Sequence, residues 1–327
     1  MSQNKPGHVV TFYSYKGGTG RTMAVANIAC LLAKKGQRAL VIDWDLEAPG
    51  QHYAFEDLVK TRFQGSTDPS ADFRAHEGLI DLLCLLPRFV SATQAFAVGD
   101  REDSAAAVAH KIDLTRFIVA TDIAGLSVMT AGRFDDKFAG RVMDFDWDDF
   151  YDRCPSLLTA LAWRLAREYD WVLIDTTAGL GHASRACTSI MPDKIVFMVS
   201  PSGLNLDGGI RELQAAGEYR RNSDDLRPLQ IFPVLSRGEL QGEEPHQRWT
   251  EMCRARLEEC FKEIYGFSGC SLGSYLQQTE IPEVVDSPNS NEIVVLSESA
   301  PTHSTLAAGY ARFVERLAGG KLPWEVS

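Results

Sequence analysis

Short apolar runs bounded by polar turns alternate with longer stretches in which apolar residues return every three or four positions. The runs are His8–Ser14 (HVVTFYS), Arg38–Asp43 (RALVID), Leu126–Thr130 (LSVMT), Trp171–Asp175 (WVLID), Lys194–Ser200 (KIVFMVS) and Leu229–Leu235 (LQIFPVL). They are rich in β-branched and aromatic residues and predict buried strands. The helical period runs through Met23–Lys35, with Val25, Ile28, Leu31 and Leu32 on one face, and through Gly78–Leu86. It returns in Ser156–Tyr169, Asn205–Arg221, Glu244–Tyr265 and Ser304–Ala318. Lys34 and Lys35 complement the dipole at the end of the first helix, and Gly36 stops it. Strands alternating with helices predict an α/β fold, a mostly parallel doubly wound sheet flanked by helices.

Composition narrows the picture. Of 327 residues, 45% are hydrophobic and 24% charged, which are globular values. The net charge of −11 argues against a surface built to hold DNA or anionic lipid; a local DNA-binding patch stays open but has no support from the charge. No apolar run reaches membrane-spanning length, the nearest being Met23–Ala33, interrupted by Asn27. Met1–Val10 lacks the charged-then-apolar pattern of a signal segment. The seven cysteines stand singly, with no Cys-x-x-Cys pair, as expected of reduced thiols in a cytoplasmic protein. In Glu244–Tyr265, three arginines interleave with Glu251, Glu258 and Glu259, which predicts a solvated mixed face. Asp144–Asp149 (DFDWDD) predicts a capped turn ahead of a helix, since it lacks the ligand spacing and central Gly of a calcium loop. The stripe Leu306, Tyr310, Phe313 and Leu317 predicts a last helix packed on the core.

Between the first strand and the first helix lies Lys16-Gly17-Gly18-Thr19-Gly20-Arg21-Thr22. Glycines there let successive backbone N–H groups approach phosphate oxygens, and the following helix N-terminus adds its unpaired donors. Arg21 offers a cation and Thr22 a hydroxyl able to ligate Mg²⁺. The common phosphate loop reads Gly-x-x-x-x-Gly-Lys-Ser/Thr. Here Tyr15 stands in place of the first Gly and Arg21 in place of the Lys.

The loop opening on Lys16 resembles the deviant Walker A motif of the ParA/MinD family of dimerising P-loop ATPases, and the Arg21 variant resembles a subgroup of ParA-like proteins. The resemblance implies a P-loop NTPase fold, ATP with Mg²⁺, and a homodimer in which Lys16 reaches the partner's phosphates. It implies phosphate contacts from Gly17, Gly18, Thr19, Gly20, Arg21, Thr22 and Met23. Asp43-Trp44-Asp45 is similar to the family's Asp-x-Asp, which makes Asp45 the residue that orients the attacking water and Asp43 a metal-shell residue. Asp175, ending its strand, looks like the Walker B carboxylate, and with Thr22 completes the metal set; Gly179 falls where the family has its second switch. Ser236-Arg237 stands where the family has Asn-Arg near adenine, so base recognition carries over only in part. No Asn-Lys-x-Asp follows, which favours ATP over GTP. Asp45 and Asp175 lie 130 positions apart, long for the family, so residues 87–124 are expected to be an element inserted into a single domain spanning 1–327.

The resemblance implies a switch whose ATP hydrolysis, slow or partner-stimulated, regulates an unidentified protein partner or assembly, in a bacterial defence or positioning system. A second reading stays open. Arg is no conservative replacement where a compact ammonium serves two phosphates, so the chain could be a nucleotide-sensing subunit with little hydrolysis. A bacterial tyrosine kinase would carry a terminal tyrosine cluster, whereas Tyr310 stands alone. An iron–sulphur reductase or metalloid-pump ATPase would need cysteines beside the switches, and Cys187 has no matching partner.

Overall fold

A computed structural model of the protein describes residues 6–63, 72–92, 101–153, 155–223, 225, 227–236, 243–282, 292–297 and 305–325. Its seven strands are β1 (His8–Tyr13), β2 (Ala39–Trp44), β3 (Val119–Ala120), β4 (Leu126–Met129), β5 (Trp171–Thr176), β6 (Lys194–Val199) and β7 (Gln230–Leu235). They form one sheet in the order β3-β4-β2-β5-β1-β6-β7. The pairs β4/β2, β2/β5, β1/β6 and β6/β7 are parallel, and the two-residue edge strand β3 runs antiparallel against β4. Every residue of β2, β5 and β6 is buried, which is why these strands read as continuous apolar runs without alternation.

Two compact units divide the chain, one comprising Met1–Val9 and Leu32–Thr177, the other Val10–Leu31 and Ala178–Ser327. In the first, the helix Pro155–Glu168 buries Leu157, Leu158, Leu161 and Leu165 and packs against β5 and the helix Arg101–Lys111. Arg164 Nη1 donates to the carbonyls of Ala109 and Ile112 at the end of that second helix, the latter at 2.7 Å. The helix Leu79–Ala92 packs against β2. Asp146 Oδ1 accepts from the Asp149 amide at 2.9 Å and caps the helix Trp147–Arg153, so the acidic run is a helix start, as its pattern predicts.

In the second unit the helix Gly203–Asn222 packs on β6 and on the long helix Glu243–Tyr265. The latter buries Trp249, Cys253, Leu257, Cys260, Phe261 and Ile264, and Arg256 pairs with Asp207 at 2.8 Å on the solvated side. The last helix, Leu306–Ala318, buries Tyr310, Phe313, Val314 and Leu317 and packs on the helix Gly273–Thr279. Each such side chain contributes about 1.5–3 kcal/mol of burial. That stripe belongs to the core and is not available as a membrane-facing surface. Among the described residues no helix is long and apolar enough to cross a membrane. Cys30, Cys187, Cys253 and Cys260 are buried and Cys84 and Cys270 half-buried, none of the six in a disulfide; Cys154 lies outside the described residues.

Candidate functional site

β1 ends at Tyr13 and the helix Arg21–Lys34 begins seven residues after Ser14, so Ser14–Gly20 is a strand-to-helix loop at a helix N-terminus. Gly18 and Gly20 take φ of 75° and 84°, in the left-handed region that favours glycine. A side chain at Gly17 would meet nothing within 4 Å, so no contact made by the loop itself calls for glycine there. Close approach of a ligand to the backbone is the demand that such a position serves.

The loop is held from both ends. Asn205, fully buried, accepts from the amides of Tyr15 (3.1 Å) and Lys16 (3.2 Å) through Oδ1 and donates to Ser200 Oγ at 2.9 Å through Nδ2. Ser14 Oγ donates to the Lys16 carbonyl at 2.7 Å and accepts from Thr19 Oγ1 and Arg21 Nη1, both at 3.0 Å. Arg21 Nη1 also lies 3.3 Å from the Ser14 carbonyl, and the residue is only 7% exposed. Its guanidinium therefore folds back onto the end of β1. Ser236 Oγ donates to the Thr19 carbonyl at 3.0 Å, so this hydroxyl supports the loop. With the backbone fixed on both sides, the Lys16 side chain stands exposed, and Thr22 and Met23 are half-buried in the first helical turn.

Tyr15 explains how the first loop glycine is dispensed with. Its ring lies on the backbone of Gly208, where an added Cβ would come within 2.4 Å of ring atoms. The next residue, Gly209, admits the Phe197 ring in the same way. The helix Gly203–Asn222 thus carries two interior glycines, each costing about 1 kcal/mol of helix propensity, to accommodate two rings. Gly179, at φ 79°, donates its amide to the Ser14 carbonyl at 3.3 Å and accepts from the Tyr13 hydroxyl at 3.3 Å. Burial, then the nearby Glu212 carboxylate, holds that hydroxyl well above the usual tyrosine range.

In the other unit, Asp43 and Asp175 are register partners on the parallel strands β2 and β5, and both are fully buried. Asp43 Oδ2 accepts from the amides of Gly50 (3.1 Å) and Gln51 (3.0 Å), at the start of the helix Gln51–Phe63. It thereby satisfies orphan donors of that helix from a neighbouring strand. Asp175 Oδ2 accepts from Gln51 Nε2 at 2.9 Å. Asp45 is 8% exposed, and its Oδ1 accepts from the Ala48 amide at 3.3 Å. Burial, and then the negative charge of Asp175, push the Asp43 carboxyl well above the usual carboxylate range, although the Gln51 amide pulls it down. Two carboxylates placed side by side in the core disfavour their own ionisation; a cation reverses that preference.

Asp43 Oδ1 is buried with no hydrogen-bond partner among the described residues. An oxygen of this kind fits a hard divalent cation or one of its waters. Among the described residues no group of three or more His, Cys, Asp and Glu is placed to hold a metal. Few protein carboxylates with the remaining positions left to water and phosphate is the arrangement that suits Mg²⁺ better than Ca²⁺ or Zn²⁺.

A family model described as the CobQ/CobB/MinD/ParA nucleotide binding domain matches residues 10–175, just over half of the 327. The chain belongs to this family. Three solved structures of similar fold follow. MinD of Pyrococcus horikoshii, complexed with Mg-ADP, superposes with a TM-score of 0.55 at 17% identity, covering 96% of this chain and 97% of that one. A putative plasmid partition protein of Borrelia burgdorferi bound to AMPPNP gives 0.57 at 15%, covering 97% and 100%. An ATP complex of McdA from Cyanothece gives 0.58 at 13%, covering 97% and 98%. At these identities the likeness is one of fold. A stretch of 38 residues is 55% identical to an uncharacterised ATP-binding protein of Methanocaldococcus jannaschii; it spans 12% of this chain and 14% of that relative's length.

Within the MinD/ParA family frame, one unit gathers Ser14, Lys16, Thr19, Arg21, Gly179 and Ser236, and the other gathers Asp43 and Asp175. Arg237 lies outside the described residues. Sequence reasoning missed Ser14, Asn205, Gly208 and Gln51. The Gly208-Gly209 pair inside a helical pattern is a signal of close ring packing, and it was available. Asn205 and Gln51 carried none, because the side chain of each acts on a residue more than a hundred positions away.

Proposed function

We propose that the protein is a cytoplasmic ATPase switch that binds ATP with Mg²⁺, closes a homodimer around it, and changes the state of a protein partner or assembly of the defence or positioning type. In this reading residues 1–327 work as one P-loop domain, with 87–124 inserted. The observation that carries it is the pinned loop: the Tyr15 and Lys16 amides held by Asn205, the Lys16 carbonyl held by Ser14, glycines at positive φ, and an exposed Lys16. Gly17–Met23 hold the phosphates, and Gly179 follows the γ-phosphate. Ser236 and Arg237 are assigned to base recognition. Thr22, Asp43 and Asp175 serve the metal, which neutralises phosphate charge when bound. Asp45 orients the water whose oxygen attacks the γ-phosphorus, giving ADP and phosphate. Family membership and the Mg-ADP and ATP complexes of similar folds support the choice of ligand.

One observation favours a second reading, a nucleotide sensor with little turnover. The Arg21 guanidinium is already bonded to Ser14, and must give up or share these bonds to serve a phosphate. ATP binding by equilibrium dialysis and phosphate release, measured on the wild type and on Lys16→Ala and Asp45→Ala, separates the two. Slow release by the wild type, with Asp45→Ala binding ATP but releasing none, supports the switch. Tight ATP binding with no release in a single turnover supports the sensor. No binding by the wild type refutes both.

A further inference from the structure

We propose that Gln51 is a positioning residue for the metal carboxylates: it fixes the orientation of Asp175 and sets how tightly the site takes Mg²⁺. The inference rests on the magnesium reading above. Gln51 is fully buried at the first position of the helix Gln51–Phe63. Its backbone amide bonds Asp43 Oδ2 at 3.0 Å, and its side-chain amide bonds Asp175 Oδ2 at 2.9 Å. One residue thus spans both carboxylates of a register pair on adjacent strands. The two contacts differ in kind. The backbone donor survives any substitution except proline, so the helix start and the hold on Asp43 are independent of the side chain. The side-chain donor is the replaceable one, and its bond to Asp175 Oδ2 is lost with it.

The residue type suits that role. An amide gives N–H donors without adding charge, so it orients a buried carboxylate while leaving it anionic toward a cation. A methionine or a leucine would keep an apolar side chain of similar bulk but remove this donor from Asp175 Oδ2. Groups that orient a metal's carboxylates without touching the metal typically govern 10–100-fold in affinity.

The test uses the full chain with AMPPNP, Mn²⁺ as the paramagnetic probe for the Mg²⁺ site, and free Mn²⁺ read by electron paramagnetic resonance. AMPPNP affinity is measured separately in EDTA. The expected result is Mn²⁺ binding about 10–100-fold weaker in Gln51→Met and Gln51→Leu, with AMPPNP affinity in EDTA within about twofold of wild type. A packing role would not produce that split. Wild-type Mn²⁺ affinity in Gln51→Met overturns the inference. So does parallel loss of AMPPNP in EDTA, or loss of fold in both variants, either of which makes Gln51 structural. A wild type that takes up AMPPNP but no Mn²⁺ refutes the magnesium reading, and the inference falls with it.

Discussion

Replacing Asn205 with alanine removes the acceptor shared by the Tyr15 and Lys16 amides, at 3.1 and 3.2 Å, and the donor to Ser200 Oγ at 2.9 Å. A buried donor left without a partner costs about 1–3 kcal/mol. Tyr15 is half-buried and Lys16 exposed, so water partly replaces the lost acceptor and each amide falls at the low end, about 1 kcal/mol. The loop start is then destabilised by about 2 kcal/mol. If this conformation is the one that receives phosphate, the whole of that cost appears in nucleotide affinity. Since about 1.4 kcal/mol is tenfold, Kd for ATP rises by about 10–30-fold. Ser200→Ala removes only the bond that orients the Asn205 amide and should shift Kd less than about threefold. The assay is titration of a fluorescent ATP analogue into each variant, with urea unfolding in parallel. An Asn205→Ala protein that loses about 2 kcal/mol of stability but keeps its Kd within twofold would refute the reasoning, because Asn205 would then support the fold and not the loop.

Gly208→Ala drives a Cβ to 2.4 Å from the Tyr15 ring and should cost about 1–3 kcal/mol in urea unfolding, with most of it recovered in the Tyr15→Ala background; an additive double mutant contradicts this. Asp43→Asn should raise thermal stability in EDTA at neutral pH while abolishing metal uptake. The Asp43 carboxyl is held above its unfolded value, so the native state binds the proton more tightly and stability falls as pH rises through that window. The gain from Asn should therefore vanish below the unfolded value near 3.8, and a variant less stable than wild type at pH 8 contradicts the sign. His52 works in the opposite sense. Burial first, then the Arg74 charge, push it down to about 4 from 6.5, so its contribution is complete above pH 6.5 and is lost as pH falls toward 4. His52→Phe, which keeps the ring beside Phe134 at 4.2 Å, should flatten the stability profile across that window, and an unchanged slope refutes it.

What the sequence made legible follows from how each element is built. β2, β5 and β6 are buried on both faces and announce themselves as apolar runs, and Asp43 and Asp175, next to last in two of them, stand out by contrast. The loop is legible because its chemistry is local: glycines, a lysine, an arginine and a hydroxyl lie within seven residues. The helix Gln51–Phe63 was not, because its buried face includes Gln51 and His52, polar residues that a hydrophobic pattern counts as solvent-facing. Its start is set by Asp43, a carboxylate from another element. The helix Phe138–Met143 buries nothing and leaves no periodic signal at all. The supports of the site, Asn205 and Gln51, reach across the fold to loop and strand, and only the packed chain brings them there.

The central claim is a nucleotide-driven change of assembly, and light scattering tests it most directly. Molar mass is measured on the full chain without nucleotide, with ADP, and with ATP and Mg²⁺. The account predicts a monomer of 36.1 kDa in the first two conditions and a doubling of mass only with ATP and Mg²⁺, lost in Lys16→Ala. A mass indifferent to ATP, in a protein shown by dialysis to hold it, would contradict the account.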